Sequence, residues 1–151
     1  TQSRSSAASD VYKRQIEYQE PLRIYGEKVG VAFQLIDDVI DISEEGPSGK
    51  TPGTDLKAGV PTLPVLLLRK AATAGDAEAQ ALLELIDGGL EDEAKLQQAL
   101  TGLRKHEVAN LAYLEAKRWA DDAVAAIATL PDGSIKKALE VFATAVVERS
   151  N

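Results

Sequence analysis

The chain has 151 residues, 24 acidic against 17 basic side chains, a formal charge of −7, and neither cysteine nor methionine. Without cysteine there are no disulfide scaffolds, thiolate zinc sites, iron–sulfur clusters or cysteine nucleophiles, and the acidity, with no lysine–arginine block, argues against nucleic acid as a partner. Alanine (23) and leucine (18) dominate while aromatics make up only 5%, a balance that favours helix over sheet.

No run approaches the roughly 18 apolar residues a membrane span needs, and the N-terminus lacks a signal-peptide core, so a cytoplasmic location is expected. The chain opens on Thr1, which we read as a processed start or a piece of a longer protein. Residues 1–15 (TQSRSSAASDVYKRQ) are serine-rich and aperiodic. They read as a non-native or disordered tail, with 16–151 forming the domain.

From Pro21 to Ile42 apolar residues recur at helical spacing, interrupted only by Gly26 and Gly30, which predicts a long helix. Ser43 to Gly53, with three glycines and two prolines, is a loop. A helix follows Pro61 and Pro64 through VLLLRKAAT, with proline accommodated in its first turn. Further helices are predicted over Asp76–Ile86 and Glu91–Leu100, then one or two between Leu103 and Leu130. A last one runs over Ser134–Arg149 with Ser134 as N-cap. No stretch alternates like a strand, so an all-α helical array is expected.

The chemistry concentrates on the helix ending at Ile42. At about 100° per residue, Glu27, Gly30, Gln34, Asp37, Asp38 and Asp41 share a stripe about 100° wide, and apolar residues fill the rest. Such a stripe is either a solvated acidic face on an edge helix or the wall of a wet cavity; the apolar remainder, which must be packed, favours the cavity. Three crowded carboxylates repel one another. Oxygen ligands without histidine or sulfur suit a hard cation such as Mg²⁺, which binds through one or two carboxylates and shares substrate phosphates.

The loop supplies the opposite charge: Lys50 among Gly46, Gly49 and Gly53, then Thr51, Thr54 and Lys57 as donors. GPSGKT imitates a nucleotide phosphate loop, but Glu44 stands where its first glycine belongs and Pro52-Gly53 where its helix should start. DDVIDISEEG lacks the alternating ligands of a calcium loop. His106, the only histidine, sits in the charged run LRKHEV and reads as a solvated surface residue. Asp121-Asp122 has no third acid four residues after the first and reads as a solvated pair.

The string from Gly26 to Asp41 containing Phe33-Gln34 and DDVID, followed by Gly49-Lys50, Gly53-Thr54-Asp55-Leu56 and Pro61-Thr62-Leu63-Pro64, resembles the second aspartate-rich region of trans-polyprenyl diphosphate synthases. The resemblance runs from about Ile16 to the end and implies the C-terminal half of an isoprenoid-synthase helical bundle. It implies an enzyme that joins an allylic diphosphate to isopentenyl diphosphate with Mg²⁺, with a long-chain, heptaprenyl-type product. Asp37, Asp38 and Asp41 would be the metal cluster, Asp37 most directly, with Asp37, Asp38 and Lys50 catalytic. Gln34, Lys50, Thr54 and Lys57 would contact substrate.

The resemblance further implies a homodimer when the protein is whole, and transient membrane contact when product is released. The family's first aspartate-rich cluster and its isopentenyl-diphosphate-binding basic residues have no counterpart in these 151 residues, so the chain by itself is expected to be inactive. Val60 stands where many members carry a basic residue. A non-catalytic helical binding or regulatory subunit with the same fold is the second reading.

Overall fold

The computed structural model describes residues 2–44, 49 and 51–150, with side chains from residue 5 onward. Seven helices follow in chain order: α1 (Gln2–Ile42), α2 (Thr54–Lys57), α3 (Leu63–Thr73), α4 (Ala77–Asp87), α5 (Glu93–Lys105), α6 (Glu107–Ala126) and α7 (Ser134–Glu148). No strand occurs among the described residues.

The long antiparallel contact of α1 with α6 forms the base. Ala112, Ala116, Ala120 and Ala123 make a ladder of small residues on α6, fully or nearly fully buried, that lets α1 approach closely. Val29, Ala32, Ile36 and Ile40 of α1 face that ladder, and α7 closes the cluster with Ala143, Val146 and Val147. A second cluster gathers Ile42, Leu56 and the inner faces of α3, α4 and α5. The site lies where α1 passes from the first cluster to the second.

Three local expectations are corrected. α1 starts at Gln2 rather than near Pro21. Residues 5–17 are exposed on every side, so no apolar period could announce them; the helix extends outward from its packed segment, where each added residue needs no new nucleus. At α7 the N-cap position is Gly133, and Ser134 is already helical.

His106 is the third and largest correction. Its side chain is 3% exposed and forms the corner between α5 and α6. Its Nδ1 accepts from Val108 N–H at 3.2 Å as the α6 N-cap, so in the neutral ring the proton sits on Nε2, which lies 3.0 Å from Asp76 Oδ2. Asp76 in turn caps α4 by accepting from Ala79 N–H at 3.0 Å. One His–Asp pair thus ties two helix N-termini together.

The Ala79 N–H, helped by His106, holds the Asp76 carboxyl below its ordinary range. That stabilisation is complete at neutral pH and is lost as pH falls through the lowered value. His106→Ala, which removes the α6 cap and strands Asp76, is expected to cost about 1–2 kcal/mol in urea unfolding. His106→Asn, which keeps a capping acceptor, should recover part of that loss.

Candidate cation and diphosphate site

The three aspartates of the stripe occupy the last two turns of α1, where the unpaired carbonyls of the helix end already carry partial negative charge. The fold answers that charge from four directions. Asp41 is 1% exposed, and its Oδ1 and Oδ2 accept from the backbone N–H groups of Asp55 at 3.1 Å and Leu56 at 3.2 Å. These are orphan donors at the start of α2, whose own N-cap, Gly53, offers no side chain. Asp41 therefore caps α2 from fourteen residues away.

Asp38 does the same for α3: its Oδ2 accepts from Leu63 N–H at 2.9 Å, while the N-cap Thr62 makes no side-chain cap. Arg104 of α5 donates to Ile42 O at 2.5 Å and Ser43 O at 3.0 Å, capping the carboxy end of α1. Arg149 reaches Asp37 from α7, with Nη2 3.4 Å from Oδ1.

Gly53 is what lets the chain return so tightly. Its φ is +83°, and a Cβ there would meet Leu96 at 3.0 Å and Leu100 at 3.1 Å, so both conformation and space call for glycine. Its N–H donates to Asp41 O at 2.6 Å, pinning the loop to α1.

Burial pushes the Asp38 carboxyl above its ordinary range; the Leu63 N–H pulls it back, and the charges of Asp55, Asp41 and Asp37 push it up again. The ionised form is thus a strain on the folded state that grows as pH rises through the raised value. Asp37 is 38% exposed and Asp38 is half-buried. Among the described residues, no three His, Cys, Asp or Glu side chains converge to hold a metal by themselves.

Of the predicted site residues, Gln34, Asp37 and Asp38 share the open part of the stripe, and Asp41 lies beneath it, committed to α2. Thr54 and Lys57 are exposed on α2 and line a groove against α5 with Thr51, Glu93, Gln97 and Arg104. None of the stripe's aspartates lines that groove. Lys50 lies outside the described residues. Sequence reasoning missed Asp55, Arg104, Thr62 and Arg149. Asp55 belonged to the quoted GTDL string, whereas the two arginines had no signal short of the tertiary contacts.

Two buried side-chain atoms among the described residues lack a partner, Thr62 Oγ1 and Arg149 Nη1. Both belong to residues around the stripe: Thr62 precedes the Leu63 amide held by Asp38, and Arg149 pairs with Asp37. Unsatisfied polar atoms are uncommon in folded proteins, and their gathering here marks a place organised around something polar.

Two substitutions separate structure from site. Asp41→Ala takes the acceptor from one buried and one part-buried α2 donor, and since bonds to charged groups contribute about 1.5–3 kcal/mol each, it is expected to destabilise by about 2–4 kcal/mol in urea. Asp38→Asn keeps an acceptor for Leu63 but removes the strained charge. It should raise the thermal unfolding midpoint at neutral pH, as relief of strain at functional positions commonly does.

Residues 4–103 match the family model for polyprenyl synthetase. The chain is 39% identical over 134 residues to the nonaprenyl diphosphate synthase of Mycobacterium tuberculosis, with 88% of this chain and 39% of that protein covered. It is likewise 39% identical over 134 residues to the octaprenyl diphosphate synthase of Haemophilus influenzae, with 87% and 40% covered. Among solved structures, the geranylgeranyl pyrophosphate synthase of Corynebacterium glutamicum, complexed with calcium and isoprenyl diphosphate, superposes with a TM-score of 0.76 at 36% identity, covering 86% of this chain and 40% of that one. The polyprenyl synthase of Caulobacter crescentus, complexed with the same two ligands, gives 0.74 at 34% identity, with 87% and 40% covered. The chain spans about two fifths of the length of these curated relatives. With its helical fold, its aspartate stripe and these matches, the chain belongs to the polyprenyl synthetase family.

Proposed function

We propose that this chain carries the cation- and diphosphate-binding end of a trans-polyprenyl diphosphate synthase, which condenses an allylic diphosphate with isopentenyl diphosphate. The carrying observation is the pairing of Asp37 and Asp38, both part-exposed near the end of a helix whose opposite face, Val29, Ala32, Ile36 and Ile40, is packed in the core, with unsatisfied polar atoms around them. The complexes of two structural neighbours with calcium and isoprenyl diphosphate support the same ligand class.

The residues fit Mg²⁺ in the manner that ion prefers, one or two carboxylates with the remaining positions left to water and phosphate oxygens. Asp37 and Asp38 would hold it, and Asp41 would act beneath them by fixing α2 against α1. When bound, the ion neutralises charge on the departing diphosphate, an electrostatic stabilisation of the transition state. Gln34 beside the aspartates and Lys50 in the loop would orient the allylic diphosphate; Thr54 and Lys57 would act from the α2 side. Asp38 would hold its place through the Leu63 amide, so that a cation meets a preset carboxylate.

In the whole protein this end would face the part of the bundle that binds isopentenyl diphosphate, in a cytoplasmic homodimer that touches membranes when it releases product. The second reading, a non-catalytic binding or regulatory subunit, draws on the lack of three converging ligands among the described residues. Turnover of both substrates by the whole protein separates the two.

For the chain itself, isothermal titration of inorganic pyrophosphate is expected to show binding that requires Mg²⁺. Asp37→Asn and Lys50→Ala should each weaken it at least tenfold while leaving the thermal melt intact. Magnesium-independent binding, or none, would refute the assignment.

A further inference from the structure

The carboxy end of α7 delivers a positive charge to the stripe that no motif announces. Arg149 is the C-cap residue of α7, where the helix dipole favours a cation. Its guanidinium carbon lies over the Phe33 ring, 4.5 Å from its centre, a cation–π contact that favours keeping the charged group beside α1. Its Nη2 is 3.4 Å from Asp37 Oδ1, close enough for charge attraction but long for a hydrogen bond. Its Nη1 is buried and unpartnered, although the side chain as a whole is 31% exposed.

An ordinary surface arginine would turn such a donor to water. Here the contact with the Phe33 ring holds it against the same helix that carries Gln34, Asp37 and Asp38. A guanidinium is the side chain best matched to phosphate oxygens, since its fork donates two parallel hydrogen bonds. A carboxylate that binds a divalent cation has less charge to offer a neighbouring arginine, and the phosphate accompanying that cation has more.

We propose that Arg149 is a further diphosphate-binding residue of this site. It holds Asp37 by charge in the ligand-free state, then donates through its unpartnered fork to an oxygen of the cation-bound diphosphate. The inference rests on the proposed function and adds to it a residue from the far end of the chain. Phe33 serves as the positioning residue that keeps the guanidinium over α1.

The test is titration calorimetry of the 151-residue chain with Mg²⁺ alone and with Mg²⁺ plus inorganic pyrophosphate, for the unsubstituted protein, Arg149→Gln, Arg149→Lys and Phe33→Leu. Arg149→Gln is expected to weaken pyrophosphate ten- to a hundredfold while Mg²⁺ alone binds as well or more tightly, because a competing charge at Asp37 has gone. Arg149→Lys should recover only part of the loss, lacking the fork, and Phe33→Leu should fall between. If Arg149→Gln does not fold by circular dichroism, the lysine and Phe33 variants carry the same comparison. Equal pyrophosphate affinity in the folded Arg149 variants overturns the inference and leaves the proposed function standing. So does a loss that Mg²⁺ alone shows to the same degree. An unsubstituted chain that binds no magnesium pyrophosphate overturns both.

Discussion

Three carboxylates at the negative end of a helix are an arrangement that α1 could not sustain alone, and much of the surrounding structure answers it. The amino ends of α2 and α3 are brought to Asp41 and Asp38. Arg104 takes the last carbonyls of α1, and Arg149 sets a charge beside Asp37. Helix N-termini carry partial positive charge and unpaired donors, so two short connections become the natural counterweights to the stripe. Gly53, which closes the segment after α1, is consequently part of the frame that holds the stripe and not merely a link.

The compensation is uneven. Asp41 has both oxygens bonded in a dry position, Asp38 has one bonded oxygen and an environment that disfavours its charge, and Asp37 has only a loose ion pair. Moving outward from the core, the aspartates pass from structural to available. Such a gradient suits a centre that must be rigid at its base yet accept a ligand at its rim. Stability given up at Asp38 is retained by the alanine ladder between α1 and α6 and by the paired caps of His106 and Asp76.

Much of this was legible in the chain. The helix from the Pro21 region to Ile42, its end there, the proline-led α3 and the helices predicted to end at Ile86 and to begin at Ser134 followed from periodicity and turn chemistry. The grouping of Gln34, Asp37, Asp38 and Asp41 followed from the helical angle alone. What escaped had no local signature. Residues 2–15 are helical, and 5–15 are exposed on every side; His106 looked solvated because its sequence neighbours are charged, though its spatial neighbour is Asp76. Arg149 and Arg104 lie more than sixty residues from the groups they meet.

By itself, then, the sequence determined an all-α chain and the face on which the acids stand, because these depend on residue type and on the fixed 100° step of a helix. Tertiary structure decided which aspartate is structural and which is open. That distinction depends on where the amide donors of α2 and α3 and the guanidinium of Arg149 arrive, and only the packing of α3, α5 and α7 around α1 sets those positions.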